Sequence, residues 1–244
     1  MRSAFLFFVW MLAARTQGAD LAKTLPTGCR QLVVVTAPAW SSSSATLQRF
    51  SRADGRARWE AVGKRVPALL GEHGLGWGLG LHEVPEDGAP RKVEGDRRAP
   101  AGIFRLTTIF AQTDRKDLPR LKLRFQAVTP SLEAVDDPAS RFYNRIVDRS
   151  QISAPDWRSA EQMAAIPDYA LGVVIGHNPE NRGGAGSCIF LHLWLGTRRG
   201  TAGCTVLRRS DLEEVVGWLD AACDPVLVQL PVEAAREGFA EILK

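Results

Sequence analysis

Short apolar or alternating runs recur along this chain, and Gly, Pro or Asp cuts nearly every one of them off. Proline removes a backbone donor and glycine weakens a helix interior, so this punctuation favours strand after strand joined by turns. "QLVVVTA" from Gln31 reads as a buried strand. "RWEAV", "LGWGLGLHEV", "GIFRLTTIF" and "LKLRFQAV" read as further strands. In the last, Leu121, Leu123 and Phe125 alternate with Lys122 and Arg124, which gives one dry face and one wet face. "SSSSATLQRFSRADG", residues 41–55, reads as loop and irregular connection.

Helices are fewer. Two stretches match the capping box, in which a hydroxyl caps the third amide of a helix and a longer side chain bonds back. They are Ser159 with Gln162 and Ser210 with Glu213. After the second, Leu212, Val215, Val216 and Leu219 follow at helical spacing as an apolar stripe. A last helix is expected from about Val232 to Lys244, with Ala235, Phe239 and Ile242 on one side. The fold class is therefore mainly β with a few short α-helices. With no internal repeat and no long linker, a single domain over residues 28–244 is the economical reading.

At 244 residues, with 45% hydrophobic and 24% charged content, the chain can bury a sizeable core without disulfides or metals. Its first 19 residues are different in kind. Arg2 is followed by the apolar run Ala4–Ala14 and then by small and polar residues, which is the architecture of a secretory leader; a buried N-terminal strand is the alternative. The run is shorter than the roughly 20 residues that span a bilayer, so no stable membrane span is expected after cleavage. Removing residues 1–19 takes away Arg2 and Arg15 and no acid, and the formal charge falls from +4 to +2. Such a balance excludes a strongly basic nucleic-acid surface. The mixed-sign run "RKVEGDRR", 91–98, reads as a solvated loop.

The stretches "LGVVIGHN" and "SCIFLHLW" are strand-like and joined by the glycine-rich "PENRGGAG". Period-two alternation puts Cys188, Phe190, His192 and Trp194 on one face, with Ile189, Leu191 and Leu193 on the other. "LGTRRGTAGC" then returns the chain toward His192 and ends on Cys204. A nucleophilic thiol gains from an imidazole that takes its proton, and the amides of Gly203 and Cys204 are placed to meet an oxyanion. Other readings stay open on these residues alone. They are a buried histidine beside an inert thiol, a Cys188–Cys204 disulfide, or a zinc site of Cys188, His192, Cys204 and His177, although no Cys-x-x-Cys pair is present. A second disulfide, Cys29–Cys223, is also open, because connectivity does not follow from spacing. A thiol activated by imidazole should alkylate fast at neutral pH, and a structural one should not.

"GAGSCIFLHLWLGTRRGTAGC" resembles the catalytic motif of the YkuD-like L,D-transpeptidases, in which a strand histidine precedes a Ser/Thr-x-Gly-Cys element. "EGDRRAPAGIF", "VDDPASRFYNRIVD", "DWRSAEQM" and "PVLVQLP" fit the same group in order, so the resemblance runs from about Gln31 to Pro231. It implies a mainly β catalytic domain, sandwich- or barrel-like, with Cys204 as nucleophile, His192 as base, and Thr201 and Gly203 as the conserved Ser/Thr and Gly. Ala202 stands where many members have a second histidine, and Val206 where they have Asn or Arg. The interval from histidine to cysteine is also shorter than usual. These departures bear on substrate choice more than on chemistry.

The resemblance implies a peptidoglycan stem peptide as partner, attacked at an L,D-bond to give a thioester that an amine of a second stem resolves. Water as acceptor makes the enzyme an L,D-carboxypeptidase or endopeptidase, and a silent wall-binding protein is the alternative outside enzymology. No cofactor is implied. The block around Asp137, Ser140, Arg141, Tyr143 and Asn144 is expected to line the substrate groove, or else to form a turn with solvated arginines. Asn178 and Ser187, flanking the glycine loop, are further binding candidates. Trp77, Trp157 and Trp194 read as core or cleft wall. The protein is expected to be exported to the periplasm or cell wall and to act as a monomer.

Overall fold

In a computed structural model, which describes residues 21–118, 121–196, 200–240 and 242, the valine-rich run forms β1 (Gln31–Ala37), buried at every position but Thr36. A run buried on both faces needs a strand on each side. The antiparallel neighbour is β2 (Ser44–Ser51), which pairs in turn with β3 (Glu60–Leu69). After the short β4 (Leu75–Trp77) comes the longest strand, β5 (Ala99–Ala111), then β6 (Arg124–Ala127). A small antiparallel sheet follows, made of β7 (Leu132–Val135), β8 (Arg145–Asp148) and β9 (Ala160–Gln162), with β7 in the middle. The chain then returns to the main sheet through β10 (Leu171–Ile175), β11 (Phe190–Leu193), β12 (Thr205–Leu207) and, after helix α1 (Arg209–Trp218), β13 (Val226–Pro231). Helix α2 (Val232–Gly238) ends the regular structure. The last β-strand is the other, parallel neighbour of β1.

The large sheet closes on itself. Its order is β10, β11, β12, β3, β2, β1, β13, β5, and β5 pairs back onto β10, so the ring of strands is a barrel with no free edge. The main core takes in β1, β5 and β13 together with the stripe Leu212, Val215, Val216 and Leu219 of α1. Inside it Thr205 donates to Gln229 Oε1 at 2.7 Å and Gln229 Nε2 donates to the Pro100 carbonyl at 2.8 Å, which satisfies two polar side chains that are 0% exposed. A second, smaller apolar cluster joins the barrel to the small sheet. It contains Phe110, Leu132, Ala134, Met163, Tyr169, Phe190 and Cys204. Burying each large side chain there stabilises the docked sheet by roughly 1.5–3 kcal/mol. Cys204 thus lies in the seam between the two layers.

The expected mainly β class holds, and several local expectations change. Residues 44–51 are strand, not loop: a bulge between Leu47 and Arg49 breaks the alternation, so Arg49 and Phe50 are both buried, with Arg49 paired to Glu214 at 2.8 Å. Ser159 and Gln162 cap no helix, because Ala160–Gln162 pairs with β7 and only a 3-10 turn, Met163–Ala165, follows before Pro167. Ser210 sits inside the first turn of α1, whose N-cap is Arg208, and makes no capping bond. The last helix stops at Gly238, although Ala235, Phe239 and Ile242 are buried as expected. Arg30 N donates to Cys223 O at 2.7 Å, yet Cys29 and Cys223 are free thiols, as are Cys188 and Cys204. The leader at residues 1–19 lies outside the described residues, among which no helix is long and apolar enough to cross a membrane.

Two histidines are built into the structure in neutral form. His82 Nδ1 accepts from Ile103 N at 3.2 Å, packed where Gly102, at φ +135°, leaves room. His177 accepts from Leu79 N at 3.3 Å and donates from Nε2 to Ala185 O at 2.9 Å. Burial pulls both down to about 4. An unfolded histidine titrates near 6.5, so the unfolded chain binds the extra protons between about pH 6.5 and pH 4. The stability each contributes is complete above about pH 6.5 and is lost as the pH falls through that window, by up to about 3 kcal/mol per histidine. Chemical unfolding at pH 7 and pH 4.5 should show this drop, and His82→Gln should shrink it. An equal drop in the variant would contradict the assignment.

Candidate active site

Register determines where the reactive groups meet. β11 and β12 run parallel with Leu191 opposite Thr205, so Cys204 stands beside Phe190 and points the same way, as does His192 two residues on. Ile189, Leu191 and Leu193 enter the main core, whereas Phe190 and Cys204 belong to the second cluster, as the alternation requires. His192 is 5% exposed, and its ring packs edge-on to Tyr169 at 5.1 Å between centroids. Its Nδ1 lies 3.0 Å from the Leu193 carbonyl. A carbonyl only accepts, so Nδ1 carries the hydrogen and the lone pair of the neutral ring is on Nε2. That is the tautomer a base needs.

The turn before Cys204 is tied by one hydroxyl. Thr201 Oγ1 donates to Cys204 O at 2.6 Å and accepts from Gly203 N at 3.1 Å. Gly203 has φ +156°, and a Cβ there would meet Arg98 O at 3.1 Å and Ile189 Cδ1 at 3.3 Å. The glycine is therefore required for the close approach. Its amide, expected to serve an oxyanion, is committed to Thr201 instead. Cys204 Sγ accepts from Phe190 N at 3.3 Å and lies 3.7 Å from the Cys188 carbonyl.

Burial pushes the Cys204 thiol up to about 12, and the nearby charge of Glu161 adds to this, while the Phe190 amide and Lys92 oppose it. The resting Cys204 thiol is thus neutral. Fast alkylation at neutral pH does not follow from the imidazole, because desolvation outweighs it.

His192 and Cys204 open into one cleft of about 480 Å³. Thr201, Ala202 and Gly203 line it together with Lys92, Arg97, Asp136, Glu161, Asp168 and Tyr169, and so do Glu94, Ser187 and Cys188. "RKVEGDRR" is no solvated loop here. Lys92 is 6% exposed and pairs with Asp96 at 2.5 Å, and Glu94 accepts from Ser187 Oγ at 2.7 Å and from Tyr143. Glu161 accepts from Tyr169 at 2.5 Å, and burial raises its carboxyl. Among the described residues no group of three or more His, Cys, Asp or Glu is arranged to hold a metal ion.

The model of the YkuD family, the L,D-transpeptidase catalytic domain, matches residues 48–228 of the chain. The chain belongs to this family. No curated protein and no solved structure matches it. YkuD domains are cysteine-dependent L,D-transpeptidases with a peptidoglycan-related role.

Of the residues expected to bind substrate in this YkuD domain, Thr201 and Ser187 line the cleft. The others are tied into its supports. Asp137 accepts from Arg158 N at 2.8 Å and Ala139 N at 3.0 Å, Ser140 donates to Asp156 at 2.6 Å, and Arg141 reaches Ala154 O at 2.7 Å. Tyr143, 2% exposed, donates to Glu94 and accepts from Gly186 N at 3.1 Å. Asn178, 0% exposed, exchanges two 2.9 Å bonds with the Arg182 backbone. Asn144 sits at φ +59°, reaches the carbonyls of His177 and Asn178 at 3.1 and 2.9 Å, and accepts from Cys188 N at 2.8 Å. It borders a second cavity behind the strand pair.

Lys92, Glu94, Asp136, Glu161 and Tyr169 are among the cleft residues that sequence reasoning missed. A signal was there: the family-like blocks containing Glu94, Asp136 and Glu161 each bring one acid to the cleft. Asn144→Ala should cost about 2–4 kcal/mol, since it removes those bonds and leaves a residue with a Cβ in a left-handed conformation. Denaturant midpoints measure it, and a change within about 0.5 kcal/mol would contradict the bracing role.

Proposed function

We propose that this YkuD domain is a peptidoglycan L,D-transpeptidase. The observation that carries the reading is the placement of Cys204 and His192 on one face of a parallel strand pair, opening into one cleft, with the His192 Nδ1 turned to the Leu193 carbonyl. As Sγ attacks the stem-peptide carbonyl at an L,D-bond, Nε2 takes the thiol proton. The imidazolium then gives that proton to the departing amine, and a thioester remains. An amine of a second stem then attacks the thioester carbonyl and loses its proton to the same nitrogen; the C–S bond breaks and the sulfur takes that proton back, so one histidine serves both halves.

The cleft wall supports such a substrate. Carboxylates of Glu94, Asp136 and Glu161 and the cations of Lys92 and Arg97 all line the cleft. A stem peptide with a diaminopimelate centre carries both ammonium and carboxylate groups and can meet both signs. In this reading residues 1–19 are an export leader, residues 28–244 are the catalytic domain, and the protein acts as a monomer in the periplasm or cell wall. Incubation with purified muropeptides tests the activity. Crosslinked dimers are expected; shortened monomers alone would make it a hydrolase, and unchanged muropeptides would overturn the reading.

A further inference from the structure

A buried lysine stands beside the candidate nucleophile. Lys92 lies on the segment running next to β4, and its backbone N donates to Trp77 O at 2.9 Å. Its side chain is 2% exposed, and Nζ lies 3.6 Å from the position a Cβ would take on Gly203. An ammonium this far from water is costly unless its hydrogens are placed. Asp96 Oδ1 at 2.5 Å and the Val93 carbonyl at 2.9 Å accept two of them. Asp96 is held in turn by the amides of Val93 and Arg98, both at 2.9 Å. An ammonium has three hydrogens, and the third has no acceptor among the described residues.

A charged donor adds to the Cys204 amide, the other backbone group expected to meet an oxyanion. The Gly203 amide is used by Thr201, and the Phe190 amide is used by the sulfur itself. Glu161, raised by burial and by the charges of Asp136 and Glu94, sets a negative field around Cys204, and the Cys188 thiol and the Tyr169 hydroxyl face the same space. Arg97, at the cleft mouth, is paired with Glu72 and is largely exposed. Lys92 is the buried cation on this wall, and it pulls the Cys204 thiol toward ionisation.

We propose that Lys92 is a catalytic residue whose third ammonium hydrogen meets the negative charge at Cys204, first on Sγ and then on the carbonyl oxygen of the acyl group it attacks. The second half of this statement rests on the transpeptidase reading above. The protons balance between Cys204, His192 and the leaving amine. The thiol proton moves to His192 Nε2 and the S–C bond forms as the carbonyl π pair moves onto oxygen. The pair then returns as the C–N bond breaks, and the leaving amine takes the proton from His192. The ammonium stabilises the anion from a fixed position.

The test uses Lys92→Arg and the double variant Lys92→Met with Asp96→Asn, which removes both charges of the buried pair and keeps the volume; melting curves establish that each folds. Alkylation of Cys204 by neutral iodoacetamide, followed by mass at pH 7–10, needs no substrate. The double variant should react at least about 10-fold more slowly at pH 8, with its profile moved to higher pH, and Lys92→Arg should recover part of the loss. Acylation by a stem tetrapeptide should fall about 10²–10³-fold in kcat with little change in KM. A folded double variant that alkylates and acylates at the wild-type rates overturns the proposal. Slowed alkylation in the variant, with no acylation even of the wild type, upholds Lys92 as counter-charge and overturns the peptidoglycan reading instead.

Discussion

Cys204→Ala is expected to lower turnover of stem peptides by at least about 10⁴-fold while the protein still folds. The size follows from chemistry: alanine forms no thioester. Cys188 is the nearest rival, but burial and the charges of Glu161 and Asp136 hold its thiol well above the ordinary range. Its amide is also tied to Asn144 at 2.8 Å. Loss of one sulfur from the seam between barrel and small sheet costs about 1 kcal/mol at most, since Sγ receives one 3.3 Å amide contact. Turnover and melting temperature, measured together, separate chemistry from folding. Activity retained within 10-fold would place the nucleophile elsewhere.

His192→Gln is expected to lower turnover by about 10²–10⁴-fold, the range for a positioned general base. Glutamine can still donate to the Leu193 carbonyl, which His192 Nδ1 holds at 3.0 Å, and it is small enough for the space beside Tyr169. What it cannot do is take a proton. The resting thiol is neutral, pushed up to about 12 by burial, so its deprotonation has to accompany attack. Residual activity in the variant should therefore rise steadily with pH across 7–10, as hydroxide replaces the imidazole. Initial rates against pH measure this. A variant with wild-type rate at pH 7 would show that the thiol ionises without His192.

Much of the fold was legible because its signals are local. Three consecutive valines buried on both faces announce β1, and the stripe of Leu212, Val215, Val216 and Leu219 announces α1, whatever surrounds them. β2 was not, because a bulge interrupts its alternation and a run of serines precedes it. The segment around Ser159 misled for another reason: its capping pattern is real, but pairing of Ala160–Gln162 with β7 is a tertiary effect that outweighs helix propensity. Alternation and the glycine-rich return leave the pairing of His192 with Cys204 open, and it is the ordered family-like blocks that point to it; both side chains do line one cleft. The charged wall was not legible. Lys92 and Asp96 read as a mixed-sign surface run, and only the packing of that run beside β4 and Gly203 shows them buried and paired.

The measurement that bears most directly on the account is the intact mass of the protein quenched during turnover of a stem tetrapeptide, with the modified peptide then mapped. The account predicts a transient mass increase equal to the acyl portion of the stem, located on Cys204, absent from Cys204→Ala and discharged on adding an amine-bearing second stem. Products formed with no adduct on Cys204, or an adduct that persists in Cys204→Ala, would contradict it.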